Sequence, residues 1–179
     1  MRNHPALSAH LCCLILALLS LPTRLSAVAP TPLPGFPVTL PGGLIYSSAP
    51  AFADLNGDQV NEIIVGATDG KVYAYEGNGS LLWQYDTGST GIESKPAVAD
   101  VDHDGFPEVV VGAGSTLSQG ASPGVYVISH SGAFQCKFTT AAGVFSSPAV
   151  AELDYDDTGV KEIVFGDWDF KIRVINHDC

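Results

Sequence analysis

The chain has 179 residues, 46% hydrophobic and 15% charged, with 8 Lys and Arg against 19 Asp and Glu and a net charge of −11. That length suits one ordinary domain. Such an acidic surface repels nucleic-acid phosphates and anionic membranes, which removes both from the expected partners; it suits a soluble exported protein or one that holds cations.

Residues 1–27 read as a secretory signal peptide. Arg2 precedes the apolar run LCCLILALLSL (11–21), and small residues follow near Ala27 and Ala29. Pro30 would be awkward just after a cut at Ala29, which favours cleavage at Ala27. The run is shorter than the roughly 20 residues of a bilayer span, so no span is expected after cleavage. Cys12 and Cys13 would leave with it, and neither follows the small residue that a lipoprotein site wants. The expected location is secreted, extracellular or periplasmic. Losing Arg2 and Arg24 would take the net charge from −11 to −13. Residues 28–35, with prolines at 30, 32 and 34, read as a linker.

From residue 36 onward the chain repeats itself. SAPAFADLNGDQVNEIIVG (48–66), SKPAVADVDHDGFPEVVVG (94–112) and SSPAVAELDYDDTGVKEIVFG (146–166) share Ser-x-Pro-Ala-x-Ala, an acidic loop, a glutamate, three apolar residues and a glycine. The interval from Asp54 to Asp100 is 46 residues and from Asp100 to Glu152 it is 52. Units of that size fit four-stranded propeller blades, so the expected fold is all-β with blades near 48–85, 94–138 and 146–179.

Within each blade, Pro-Ala-x-Ala reads as a short inner strand of small side chains. The runs IIV, VVV and IVF read as buried strands rich in β-branched residues. KVYAY (71–75), GVYVIS (124–129) and KIRVIN (171–176) read as third strands, and LLWQY (81–85) and FQCKF (134–138) as outer ones. GNG (77–79) and HSG (130–132) are the hairpin turns between them. PVTL (37–40) reads as an outer strand with no blade before it, and the third blade stops after its third strand. Three blades do not close a ring of the usual four to eight, so an incomplete propeller is expected. It is read as part of a longer chain, as a unit assembled from copies, or as an open stack whose faces invite association.

The loops carry the chemistry. Asp100, Asp102 and Asp104 take alternate positions, followed by the Phe106 carbonyl and Glu108; in the first repeat the roles fall to Asp54, Asn56, Asp58, the Val60 carbonyl and Glu62. Carboxylates this close repel unless a cation offsets them. Oxygen ligands at alternate positions wrap a hard cation, and three or four charges suit Ca²⁺ better than Mg²⁺, which keeps its water. No Cys or His stands at zinc-ligand spacing. The loop is not an EF-hand, whose last glutamate is at position twelve between helices. In the third repeat Glu152, Asp154, Asp156, the Val160 carbonyl and Glu162 are the corresponding set, with two extra residues before Glu162 and Asp157 as a further donor. Against the metal reading stands a plainer one, in which aspartates cap the strand ends by bonding their own backbone.

These residues together resemble the FG-GAP or VCBS-type repeat, from which integrin-alpha-like β-propellers are built. The resemblance covers about residues 36–179. It implies calcium in the loop joining the first two strands of each blade, and by position it supports the ligand sets named for the first two repeats. It also implies extracellular recognition of a protein or polysaccharide. The expected function is therefore a secreted, calcium-binding scaffold or adhesion module rather than an enzyme. The alternative is the non-catalytic part of a larger exported enzyme of lyase, phospholipase or peptidase type.

The stretch 71–88 also resembles the repeat of quinoprotein propellers, through Ala74, Glu76, Gly79 and Trp83. It is one residue short and occurs once, so Trp83 reads as an outer-strand packing residue. Asn78-Gly79-Ser80 is a glycosylation sequon on an exposed turn. No Gly-x-Ser-x-Gly elbow is present, and His103, His130 and His177 show no partner at readable spacing. The loop 113–123 is the longest insertion. Export permits a disulfide between Cys136 and Cys179, and two separate thiols fit the sequence as well.

Overall fold

The structure, a computed structural model, describes residues 29–115, 122–154, 156 and 158–179. The signal peptide, Asp157 and most of the loop 113–123 lie outside them. The chain divides into Met1–Thr31 and Pro32–Cys179; of the first unit only the exposed residues 29–31 are described.

The second unit is all-β. Its strands are β1 (Ala51–Ala53), β2 (Glu62–Gly66), β3 (Lys71–Tyr75), β4 (Leu81–Asp86), β5 (Ala97–Ala99), β6 (Glu108–Ala113), β7 (Gly124–Ile128), β8 (Phe134–Thr139), β9 (Ala149–Ala151), β10 (Glu162–Gly166) and β11 (Ile172–Ile175). They form three antiparallel meanders, β1-β2-β3-β4, β5-β6-β7-β8 and β9-β10-β11. These are propeller blades, two of four strands and one of three. The inner strands β1, β5 and β9 stand in sequence beside one another.

Strand alternation decides which face meets which neighbour. In the first blade Ile64, Val72 and Ala74 point toward the second, where they meet Val109, Val111, Tyr126 and Ile128. The other face of the second blade, Val110, Val125 and Val127, meets Ile163 and Phe165 of the third. A strand covered on both faces needs apolar residues at every position, which is why VVV and VYV show no polar alternation.

The shared Ser-x-Pro and terminal Gly also acquire a cause. Ser48, Ser94 and Ser146 Oγ accept the N–H of Gly66, Gly112 and Gly166 at 3.3, 2.8 and 2.9 Å. Each serine thus buckles the lead-in of its blade to the far end of the second strand. The glycine leaves room for the next connector: a Cβ on Gly66 would lie 2.2 Å from Ile92 Cγ2, and one on Gly112 2.6 Å from Val144 Cγ1.

PVTL (37–40) is not a strand. Pro37 and Pro41 have no N–H to give a ladder, and the segment instead lies on the face of the first blade. There Val38 and Leu40 pack against Val65, Ala67, Tyr73 and Tyr75. Leu44 fixes it, donating its N–H to Thr68 Oγ1 (3.0 Å) and accepting the Thr68 N–H (2.9 Å).

Trp83 belongs to outer strand β4 and also bridges blades. Its indole Nε1 donates to the His130 carbonyl at 2.9 Å, and its ring lies where a Cβ on Gly132 would stand, 2.7 Å from Cγ. The contact holds the first blade to the 130–132 turn of the second. Trp83→Phe should keep a ring against Gly132 and lose the bond, a cost of about 1 kcal/mol. That lowers the melting midpoint by about 3 °C in calorimetry.

Cys136 on β8 and Cys179 beyond β11 form a disulfide. The alternative left open by the sequence is thereby settled in favour of pairing. The bond ties the outer edge of the second blade to the segment that leaves the third.

Candidate metal-binding loops

The acidic loops join β1 to β2, β5 to β6 and β9 to β10, and one device builds all three. The glutamate that opens the second strand turns back and accepts an N–H near the start of its loop. Glu62 Oε2 takes Leu55 N–H at 2.6 Å, Glu108 Oε2 takes Val101 N–H at 2.9 Å, and Glu162 Oε2 takes Leu153 N–H at 2.7 Å. All three glutamates are buried. Each is thus a clasp with one carboxylate oxygen committed to the loop backbone.

The aspartates bind the loop backbone as well. Asp54 accepts from the N–H groups of Gly57 (2.7 Å), Asp58 (3.2 Å) and Gln59 (2.8 Å). Asn56 Oδ1 accepts from Asp58 N–H and Asp58 Oδ1 from Val60 N–H. In the second loop Asp100 takes Asp104 and Gly105 N–H, Asp102 takes Asp104 N–H, and Asp104 takes Phe106 N–H. In the third, Asp154 accepts from Asp156 N–H, and Asp156 from both the N–H and the hydroxyl of Thr158. Such Asx turns place successive carboxylates on the inside of one small bend.

Three carboxylate groups result, with ligand atoms within 4.8 Å of one another: Asp58, Glu62 and Glu76; Asp100, Asp102 and Glu108; Glu152, Asp154 and Asp156. Asp54 and Asp104 are held by backbone N–H groups beside their clusters, and Glu162 serves as the clasp of the third loop. Val60 and Phe106, exposed, flank Asp58 and Asp104, whose carboxylates they bond; Val160 N–H bonds Thr158 Oγ1.

Glu76 escaped the sequence reading because its counterparts, Ser129 and Asn176, are neutral. The signal lay in the register: Ile63 pairs with Tyr75, which sets Glu62 and Glu76 on neighbouring strand positions. A reader who pairs the strands first finds the third carboxylate.

The electrostatics follow from this crowding. Burial pushes the Glu62 carboxyl above its usual value, the Leu55 N–H opposes, and the charges of Asp58, Glu76 and Asp54 add to the rise. For Glu108, burial again leads, countered by Val101 N–H and reinforced by Asp102 and Asp104. Burial also acts upward on Asp54, but the N–H bonds of Gln59, Gly57, Asp58 and Asn56 outweigh it and leave the group below its usual value.

The third loop leans on the second. Lys161 donates its backbone N–H to the Val101 carbonyl (2.9 Å) and its Nζ to the Asp100 carbonyl (2.5 Å). The His103 ring, on an exposed residue with φ of 62°, lies against Gly159. Lys161 and Gly159 thus join the third loop to the second.

The donor sets contain oxygen alone, and three convergent carboxylates suit a hard divalent cation rather than zinc or copper. The residues present therefore fit the calcium that the repeat implies.

Comparison with known proteins agrees with the fold. Residues 54–111 match the family described as FG-GAP-like repeat. No curated protein matches the chain. The crystal structure of BBS1N in complex with ARL6DN, soaked with lead, is similar over 73% of this chain and 37% of that one, at 18% identity and a TM-score of 0.51. The C-terminal domain of Pseudomonas aeruginosa PilY1 is similar over 70% of this chain and 29% of that one, at 21% identity and a TM-score of 0.54. The chain thus spans well under half the length of either structure. Its second unit is a run of propeller-type blades, of which residues 54–111 match the FG-GAP-like repeat.

Proposed function

We propose that the chain is an exported, calcium-holding propeller segment that binds an extracellular protein or polysaccharide and catalyses nothing. One observation carries the metal reading: three carboxylate clusters recur at the same loop of three successive blades. Buried Glu62 and Glu108 face neighbouring aspartates, and a cation among them removes that repulsion. The Cys136–Cys179 bond supports export, since disulfides persist in oxidising compartments. Among the described residues no helix is long and apolar enough to cross a membrane.

A binding role is favoured by composition. Among the described residues His103, His130 and His177 stand in bends or turns. A second reading, the non-catalytic part of a larger exported enzyme, draws on the short span of the structures matched, 37% and 29% of their lengths. A catalytic domain elsewhere in the same gene product decides for it.

The test of the metal reading is a thermal melt of residues 28–179 stripped of metal. A ligand confined to the folded state raises the midpoint by mass action. Millimolar Ca²⁺ should raise it by about 5 °C, a gain of roughly 2 kcal/mol if the sites are at least tens-fold saturated, and Mg²⁺ should not. A cooperative melt indifferent to both ions leaves the aspartates as turn formers.

A further inference from the structure

The turn 76–80 of the first blade carries two polar side chains that neither the fold nor the acidic loops explain. It joins β3 to β4 and is closed by its backbone: Glu76 N–H bonds the Ser80 carbonyl and Gly79 N–H the Glu76 carbonyl, both at 2.9 Å. Asn78 Oδ1 accepts the Ser80 N–H at 2.8 Å. Asn78 and Ser80 are exposed, and among the described residues Asn78 Nδ2 and Ser80 Oγ have no hydrogen-bond partner. On the other side of the turn Gly35 covers only backbone; a Cβ there would stand 1.7 Å from the Asn78 carbonyl oxygen.

The same turn of the second blade shows what the backbone requires. Ser129 N–H bonds the Ala133 carbonyl at 2.8 Å, and Gly132 N–H bonds the Ser129 carbonyl at 2.9 Å. The left-handed residue is a glycine in both, Gly79 with φ of 86° and Gly132 with φ of 83°. Ser131 and Ala133 stand where the first blade has Asn78 and Ser80. The turn thus closes without an amide or a hydroxyl at those two places. What the first blade adds is Asn78-Gly79-Ser80, the one Asn-x-Ser/Thr of the sequence. Its Asx bond uses Oδ1 and leaves the amide nitrogen open to solvent.

We propose that Asn78 is an acceptor for an N-linked oligosaccharide, an inference that rests on the export reading. The donor is an oligosaccharide carried on a lipid diphosphate, and a membrane-bound transferase of the export route makes the transfer. Asn78 Nδ2 bonds the sugar C1, the bond from C1 to the diphosphate oxygen breaks, and Nδ2 gives up one proton; nothing is oxidised or reduced. The products are the glycosylated amide and the free lipid diphosphate. In a meander the β1–β2 loop and the β3–β4 turn lie at one end of the blade, and Gly77 borders Val60 there, where a Cβ would stand 3.3 Å from Val60 Cγ1. The oligosaccharide therefore shields the acidic-loop end of the first blade. The opposite end, where β6 leads into the loop 113–123, stays open to a partner.

Expression of the full chain in a eukaryotic secretory host tests this, once with its own residues 1–27 and once with a leader of known efficiency in their place. Treatment with a peptide N-glycosidase should lower the apparent mass in one step and leave Asp at position 78 in the peptide map. Asn78→Gln and Ser80→Ala should each abolish the step, and Ser80→Thr should keep it. Formation of the Cys136–Cys179 bond reports that the chain reached the oxidising compartment. A disulfide-bonded chain with Asn78 unmodified overturns the proposal, and so does a mass step that survives Asn78→Gln. If only the substituted leader delivers the chain, the export reading fails by itself, and the delivered chain still decides whether Asn78 accepts the sugar.

Discussion

Replacing Cys136 and Cys179 together by serine should cost about 4 kcal/mol of stability and lower the melting midpoint by about 10 °C. The disulfide spans 43 residues of sequence, and cutting it returns that loop's closure entropy to the unfolded chain. Cys136 sits on an outer strand and Cys179 beyond the last one, each only partly buried against the Val110–Ile163 core. The third blade lacks an outer strand among the described residues, so the covalent tie replaces part of what a fourth strand would supply. Calorimetry of the Cys136→Ser/Cys179→Ser protein, beside wild type with and without reductant, checks it. Reductant should reproduce the loss in wild type and change nothing in the variant. A midpoint unmoved by both treatments would show that the first two blades alone set the cooperative unit.

Legibility in the sequence followed how local the physics was. The inner Ala-x-Ala strands, the β-branched second strands and the turns at 77–79 and 130–132 all stand where pattern places them, because alternation and turn chemistry act over a few residues. PVTL did not, since its apolar alternation fits a strand equally well as a strap; only its flanking prolines argued against a ladder. The glutamate that opens each second strand was legible as a candidate ligand, but its clasp on Leu55, Val101 and Leu153 depends on the turn of the chain in space. Glu76 and Lys161 reach their loops from another strand and another blade, respectively. Trp83 shows the same limit: its place on an outer strand follows from spacing, whereas its bond to His130, 47 residues on, does not.

Glu108 offers the test that separates the two roles of these glutamates, clasp and ligand. Its carboxylate is fully buried, bonds Val101 N–H at 2.9 Å, and lies with Asp100 and Asp102 in the second cluster. Glu108→Ala removes the acceptor, leaving a buried N–H unpaired and a small cavity, at about 3 kcal/mol. Its midpoint should fall by about 8 °C with or without calcium. Glu108→Gln keeps an oxygen for Val101 and removes a charge that burial and Asp102 disfavour. In metal-free buffer it should therefore melt at or above wild type. With calcium the order should reverse, because the cluster has lost one of its three carboxylates and the ion gains less from it. Melts of the three proteins in chelator and in millimolar Ca²⁺ decide the matter. If Glu108→Gln and wild type respond equally to calcium, the glutamate is a clasp alone and any ion is held by the aspartates. If the order crosses, one side chain both closes the loop and charges it, which accounts for the buried glutamate at this position in the first two blades.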